Sequence, residues 1–147
     1  MFEEKLDELY TELVNIISEM IPTNWEKIYY LGEVEKDKLS WNSIFYFINE
    51  SGEIVRSLDI PDKYNISEEE YFELEEEYQM IMLEIYDCFC SNNQELWNQI
   101  SFSLNSEGEF EVKFNYDSSG YGQAREKLSG HMRHFSMFLK LSMIRRF

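Results

Sequence analysis

The sequence predicts an α+β domain in which helices pack on a twisted antiparallel sheet of about five strands. Three observations predict it. Apolar residues recur at three- and four-residue spacing in some segments and alternate strictly in others. The β-like runs come in neighbouring pairs joined by connectors of hairpin length. Such short connections favour antiparallel neighbours. The expected order is α-β-β-β-α-β-β-α, in a single domain over residues 1–147, with no Ser/Gly-rich linker and no visible internal repeat. At this length the chain is large enough to bury a real core.

Each element has its own local reason. From Phe2 to Ile21, the residues Phe2, Leu6, Leu9, Leu13, Ile16/Ile17 and Met20 form one apolar face of a helix that Pro22 stops. Two aromatic, β-branched runs follow, Trp25–Val34 and Trp41–Asn49, joined by the polar connector Glu35-Lys36-Asp37-Lys38-Leu39-Ser40. A third short run, Glu53–Leu58, comes after the turn Asn49-Glu50-Ser51-Gly52. Ser67-Glu68-Glu69-Glu70 is a capping box that opens a second helix, with Ile66 and Tyr71 placed for a hydrophobic staple. Its buried stripe is Tyr71, Leu74, Tyr78, Ile81, Ile85 and Phe89, and Ser91-Asn92-Asn93 ends it. In the next hairpin Asn98, Ile100, Phe102 and Leu104 share one face. After Asn105-Ser106-Glu107-Gly108, the residues Phe110, Val112, Phe114 and Tyr116 alternate with Glu109, Glu111, Lys113 and Asn115. Asp117–Gly122 reads as a loop. Gln123 to about Ile144 reads as a third helix, with Leu128, Met132, Phe135 and Leu139 as its apolar line.

Charge is divided unevenly along the chain. The first 117 residues carry 28 Asp/Glu against 7 Lys/Arg, whereas the last 30 carry 6 Lys/Arg and the single acid Glu126. These segments contribute −21 and +5 to a net charge of −16. With 16% aromatic residues the chain is too rich in core-formers for an acidic disordered tail, so the charge coats a folded body. Such a body repels nucleic acid and anionic membrane and attracts basic proteins. The opening Met1-Phe2-Glu3-Glu4-Lys5 is unlike a signal peptide, and no run of about 18 apolar residues occurs. The expected location is the cytoplasm. Cys88 and Cys90 would point about 200° apart on a helix, which favours reduced thiols over a mutual bridge.

Motifs for catalysis are missing. There is no Gly-x-Ser-x-Gly elbow, phosphate-binding glycine loop or primed serine or cysteine, and the abundant carboxylates single out no general acid. His131 and His134 lie at i,i+3 with Cys88 and Cys90 far off, so no zinc-ligand spacing appears, nor any calcium loop. No metal and no cofactor is expected. The sharpest local feature is the acidic run Glu68, Glu69, Glu70, Glu73, Glu75, Glu76 and Glu77. It reads either as a capped helix start with a solvated face or as a docking surface for a basic partner. Like charges at i,i+4 spacing cost a few tenths of a kcal/mol each, which favours a role beyond stability. The first hairpin is apolar on both faces (Trp25, Tyr29, Tyr30, Trp41, Phe45, Tyr46, Phe47), so it is either sandwiched between layers or leaves one face for a partner. The basic segment Arg125, Lys127, Arg133, Lys140, Arg145 and Arg146 reads as packing on the acidic body, or as contacting an acidic region of the same partner.

An ordered set of residues also carries a family resemblance. Phe2-Glu3-Glu4-Lys5-Leu6 with Leu9-Tyr10 is followed by Met20-Ile21-Pro22 and Trp25-Glu26-Lys27-Ile28-Tyr29. Then come Ile60-Pro61, Tyr64-Asn65-Ile66-Ser67, Trp97, Glu107-Gly108-Glu109-Phe110 and Phe114-Asn115-Tyr116. Over about residues 2–126 this order resembles the YezG/EsaG-like antitoxins, immunity proteins of Gram-positive bacteria. The resemblance implies a non-enzymatic protein that neutralises, inside the producing cell, the C-terminal toxin domain of a secreted polymorphic toxin, typically a nuclease exported by the type VII system. Beyond Arg125 the chain runs Ser129-Gly130-His131-Met132-Arg133-His134, where family members continue with a Trp/Tyr-rich segment. The charge argument points the same way, since nucleases present basic surfaces to polyanions. The expected toxin-binding residues are Glu69, Glu73, Glu76 and Glu77, with Tyr30 and Trp41 as aromatic anchors. The alternative function is an intracellular adaptor or secretion chaperone that keeps a basic partner soluble without blocking its active site.

Overall fold

A computed structural model describes residues 2–116 and the strand at 132–138. The element order is α1 (Phe2–Met20), β1 (Trp25–Val34), β2 (Trp41–Asn49), β3 (Ile54–Arg56), α2 (Ile60–Tyr64), α3 (Glu68–Ser91), β4 (Gln99–Asn105), β5 (Glu109–Asn115) and β6 (Met132–Phe138). All strand pairings are antiparallel, in one sheet of order β3-β2-β1-β4-β5-β6. The α+β class and the order through β5 are those the residue pattern predicts.

Among the described residues, one face of the sheet is covered. Ile28, Tyr30, Phe45, Phe47, Ile100, Phe102, Leu104, Phe110, Val112 and Phe114 all point into the core, under α1 and α3, which pack side by side. Aromatic contacts tie the layers: Tyr78 of α3 meets Tyr30 and Phe45 edge-on at 6.1 and 5.9 Å, Phe89 meets Phe114 at 4.9 Å, and Tyr10 of α1 meets Phe110 at 5.5 Å. Each such pair adds about 0.5–1.5 kcal/mol to what burial alone contributes.

Two hairpins share one turn design. In Asn49-Glu50-Ser51-Gly52-Glu53 the Asn49 Oδ1 accepts from the Ser51 and Glu53 N–H groups, both at 3.0 Å, and its amide donates to Glu53 Oε1 at 3.0 Å. Asn105 does the same with Glu107, Glu109 and Glu109 Oε1, at 3.0, 3.0 and 2.7 Å. Gly52 and Gly108 adopt φ of +83° and +93°, the left-handed backbone that these turns need.

Three expectations are corrected. The third run, Glu53–Leu58, is a strand only over Ile54–Arg56, then turns as a 3₁₀ helix into the one-turn helix α2. Among the described residues the sheet has six strands because Met132–Phe138, expected mid-helix, pairs with β5 from Glu109↔Phe138 to Asn115↔Met132. Three- and four-residue apolar spacing cannot register the unpaired edge of β5, whose N–H and C=O groups β6 satisfies. The rest of the expected helix, 123–131 and 139–144, and the 117–122 loop lie outside the described residues.

The third correction concerns internal repetition. The described residues repeat one pattern twice, a helix followed by three strands. Leu6, Tyr10, Leu13, Val14 and Ile17 of α1 have counterparts in Leu74, Tyr78, Ile81, Met82 and Ile85 of α3. Trp25-x-x-Ile28-x-Tyr30 has its counterpart in Trp97-x-x-Ile100-x-Phe102. The register supports this alignment independently. Ile28 pairs with Leu104 and Gly32 with Ile100, so exchanging the halves maps one pair onto the other, and Tyr30↔Phe102 maps onto itself. A pseudo-twofold axis therefore passes through that pair, whose rings stack at 5.0 Å and 17°. By the same exchange Phe45 and Phe47 correspond to Val112 and Phe114, because each faces the matching residue of β1 or β4.

Candidate functional site

The acidic residues singled out from sequence are gathered by α3. The helix starts where Ser67 accepts from the Glu70 N–H at 3.4 Å, and Glu68, Glu69 and Glu70 occupy the positive end of its dipole. Its buried side carries Tyr71, Tyr78, Met82, Ile85 and Phe89. At 100° per residue, Glu69, Glu73, Glu76 and Glu77 fall within an arc of about 100° on the opposite side, and all four are exposed. Glu73, Glu76 and Glu77, with Met80, Ile81 and Glu84, line a shallow concavity of about 500 Å³.

Two apolar side chains stand in or beside this arc. Phe72 is 56% exposed and Met80 51% exposed, each flanked by carboxylates. Neither was singled out from sequence. Both are apolar residues on the wrong side of the helical wheel, a signal that was available once α3 was read as a helix. Exposed aromatic and Met side chains inside a charged rim are the usual composition of a protein-binding patch.

The two expected aromatic anchors have different fates. Trp41, at the start of β2, is 44% exposed. It lies beyond the β1–β2 connector, which Lys38 fastens to Asp87 of α3 at 2.9 Å. Tyr30 is buried, stacked on Phe102 and under Tyr78, so the structure removes it from the surface. Its place follows from β1 alternation: it shares a face with Ile28 and Val34, whereas Tyr29 and Leu31 take the other. Burial pushes its phenol above the usual range.

Glu75 differs from its neighbours. It is half-buried, accepts from the Tyr71 hydroxyl at 3.5 Å, and has its carboxyl pushed up by loss of solvent. Burial likewise pushes the Tyr71 phenol up to about 12. A carboxyl raised in the folded state binds protons more readily there than in the unfolded chain. Ionised Glu75 therefore costs stability above its folded pKa; the cost fades as pH falls through that value and is gone below the unfolded one. Glu75→Gln is expected to stabilise the protein at pH 7 by a few tenths of a kcal/mol, after discounting for solvent screening. In thermal melts that gain disappears below about pH 4.

Cys88 is buried and Cys90 exposed, and both thiols are free. Among the described residues no group of three or more His, Cys, Asp or Glu is placed to hold a metal ion. No described helix is long and apolar enough to cross a membrane. His131 lies outside the described residues.

Comparison with known proteins gives a consistent result. A family model described as "Immunity protein YezG-like" matches residues 6–138. The chain is 32% identical over 115 residues to a protein of Bacillus spizizenii named immunity protein YezG, covering 77% of this chain and 70% of that one. It is 32% identical over 117 residues to a Staphylococcus aureus protein named type VII secretion system protein EsaG, covering 78% and 70%. A Bacillus subtilis protein named immunity protein YezG is 32% identical over 113 residues, covering 76% and 74%.

Proposed function

We propose that this chain, which belongs to the YezG-like immunity protein family, neutralises a nuclease toxin in the cytoplasm of the producing cell by covering its basic surface. The observation that carries the reading is the carboxylate arc of α3, with Glu69, Glu73, Glu76 and Glu77 exposed together around Met80. A nuclease holds its polyanionic substrate on Lys and Arg side chains. Carboxylates on a rigid helix meet the same cations, and Phe72, Met80 and Trp41 supply the apolar contact that slows release. Attraction between opposite fields speeds encounter towards 10⁸ M⁻¹s⁻¹ or more at low salt. No step in this mechanism needs a catalytic group on the immunity protein.

The test is a cleavage assay of the cognate toxin domain with and without one equivalent of the protein. The expected result is loss of cleavage on mixing and survival of cells that produce both. A stable complex that still cleaves at the full rate would overturn occlusion and leave an adaptor or secretion chaperone, a reading that the name of the Staphylococcus aureus relative keeps in view.

A further inference from the structure

We propose that the open face of β1, β2 and β3 is a self-association surface on which a second copy of this chain packs sheet to sheet. This goes beyond toxin binding and uses the side of the sheet opposite α3. Tyr29, Leu31, Tyr46 and Ile54 are exposed there, Ile54 by 69%, and Ile44 and Ile48 lie half-buried between them. Register makes the patch continuous: Tyr29 faces Tyr46, Leu31 faces Ile44, and Ile48 faces Ile54. No described helix covers it, since α1, α2 and α3 all contact residues of the other face.

The duplicated architecture supplies an internal control. The positions equivalent to Tyr29 and Leu31 are Ser101 and Ser103, and those equivalent to Ile44 and Tyr46 are Glu111 and Lys113. The same scaffold thus folds with polar residues at these places, as a solvated sheet face ordinarily does. The apolar half-face is a departure that the fold itself does not require. Contiguous apolar surface of this kind marks an interaction site.

Charge identifies the occupant. Along the open face β1 reads Lys27, Tyr29, Leu31, Glu33, a cation and an anion about 20 Å apart with apolar residues between. A second copy laid face to face with its β1 running the opposite way sets its own Glu33 against Lys27, and its Lys27 against Glu33. Both pairs form at once, as a twofold interface demands. Two sheets packed this way sit about 10 Å apart. Each copy carries −16, so long-range repulsion opposes the contact. Salt therefore strengthens self-association, whereas it weakens an acidic–basic toxin encounter.

Sedimentation velocity of the full chain tests this from about 5 to 500 µM protein at low and high salt, with far-UV melts to confirm folding. The dimer fraction should rise with protein concentration, and again between about 0.05 and 0.5 M NaCl. Leu31→Lys with Tyr46→Lys should leave a folded monomer throughout. Lys27→Glu alone and Glu33→Lys alone should each weaken the dimer about threefold or more, and the two together should restore it. A monomer at the highest concentration and salt, a dimer that survives the paired lysines, or a double exchange no better than the single ones would each overturn the proposal. None of these outcomes bears on toxin neutralisation, which is read from cleavage.

Discussion

Charge reversal at Glu69, Glu73, Glu76 and Glu77 together slows association with the cognate toxin by about 100-fold at low salt. The four Glu→Lys changes move the net charge from −16 to −8, two units per residue. A loss of that size has two possible sources, a weaker overall field or a ruined docking face. A control variant separates them by reversing Glu26, Glu50, Glu95 and Glu107 instead, four exposed acids in loops and at sheet ends. It makes the same change in net charge but leaves the α3 arc intact. If the arc is the docking face, the control slows association several-fold and the α3 variant far more, with dissociation accelerated only in the latter. The measurement is stopped-flow or surface-binding kinetics at several ionic strengths. Near 1 M salt, where the Debye length falls to about 3 Å, the association rates of the three proteins converge. Equal effects of both variants at low salt would place the contact elsewhere on the acidic body.

The legible parts of the fold are those with a local cause. Trp25–Val34 and Trp41–Asn49 form strands with the bounds expected from sequence, and Ser67 caps α3 where its spacing to Glu70 says it should. The acidic arc was equally legible, because helical geometry alone brings Glu69, Glu73, Glu76 and Glu77 together. Tyr30 was not, since a hairpin apolar on both faces does not reveal which one a helix covers. Only the packing of Tyr78 on Tyr30 and Phe45 decides it. β6 depends on a neighbour, the edge of β5, that no window of its own residues contains. The duplication is hidden in the sequence for a further reason. Its shared residues are sparse buried positions such as Tyr10/Tyr78 and Trp25/Trp97, while the surface between them has diverged, Tyr29 and Leu31 standing where the other half has Ser101 and Ser103. Burial constrains residue type strongly and exposure hardly at all, so a repeat held by core contacts is seen most readily in the register.

Where the halves stop being equivalent in the core, the expected cost of change is largest. Gly32 on β1 corresponds to Leu104 on β4. A Cβ at Gly32 would collide with the Met82 sulfur of α3, and would also crowd the Tyr30 hydroxyl at 3.0 Å and Ile100 Cγ2 at 3.1 Å. The glycine therefore lets Met82, fully buried, fill the space that a side chain on β1 would occupy. Gly32→Leu, which makes the halves alike in sequence, should destabilise the protein by about 3 kcal/mol. In a thermal melt this is a fall of about 10 °C. Met82→Ala alone costs a similar amount by leaving a cavity. In the double variant the new leucine enters that cavity, so the two losses should fall short of adding by about 1 kcal/mol or more. Strict additivity would mean that the two positions do not share one space. The pairing matters beyond stability because Met82 and Met80 ride on the same turn of α3. A leucine that lifts Met82 off β1 also shifts the exposed side of the helix, and with it the spacing between the carboxylate arc and Trp41. Toxin association should accordingly weaken in Gly32→Leu and recover in the double variant, although neither substituted residue touches solvent.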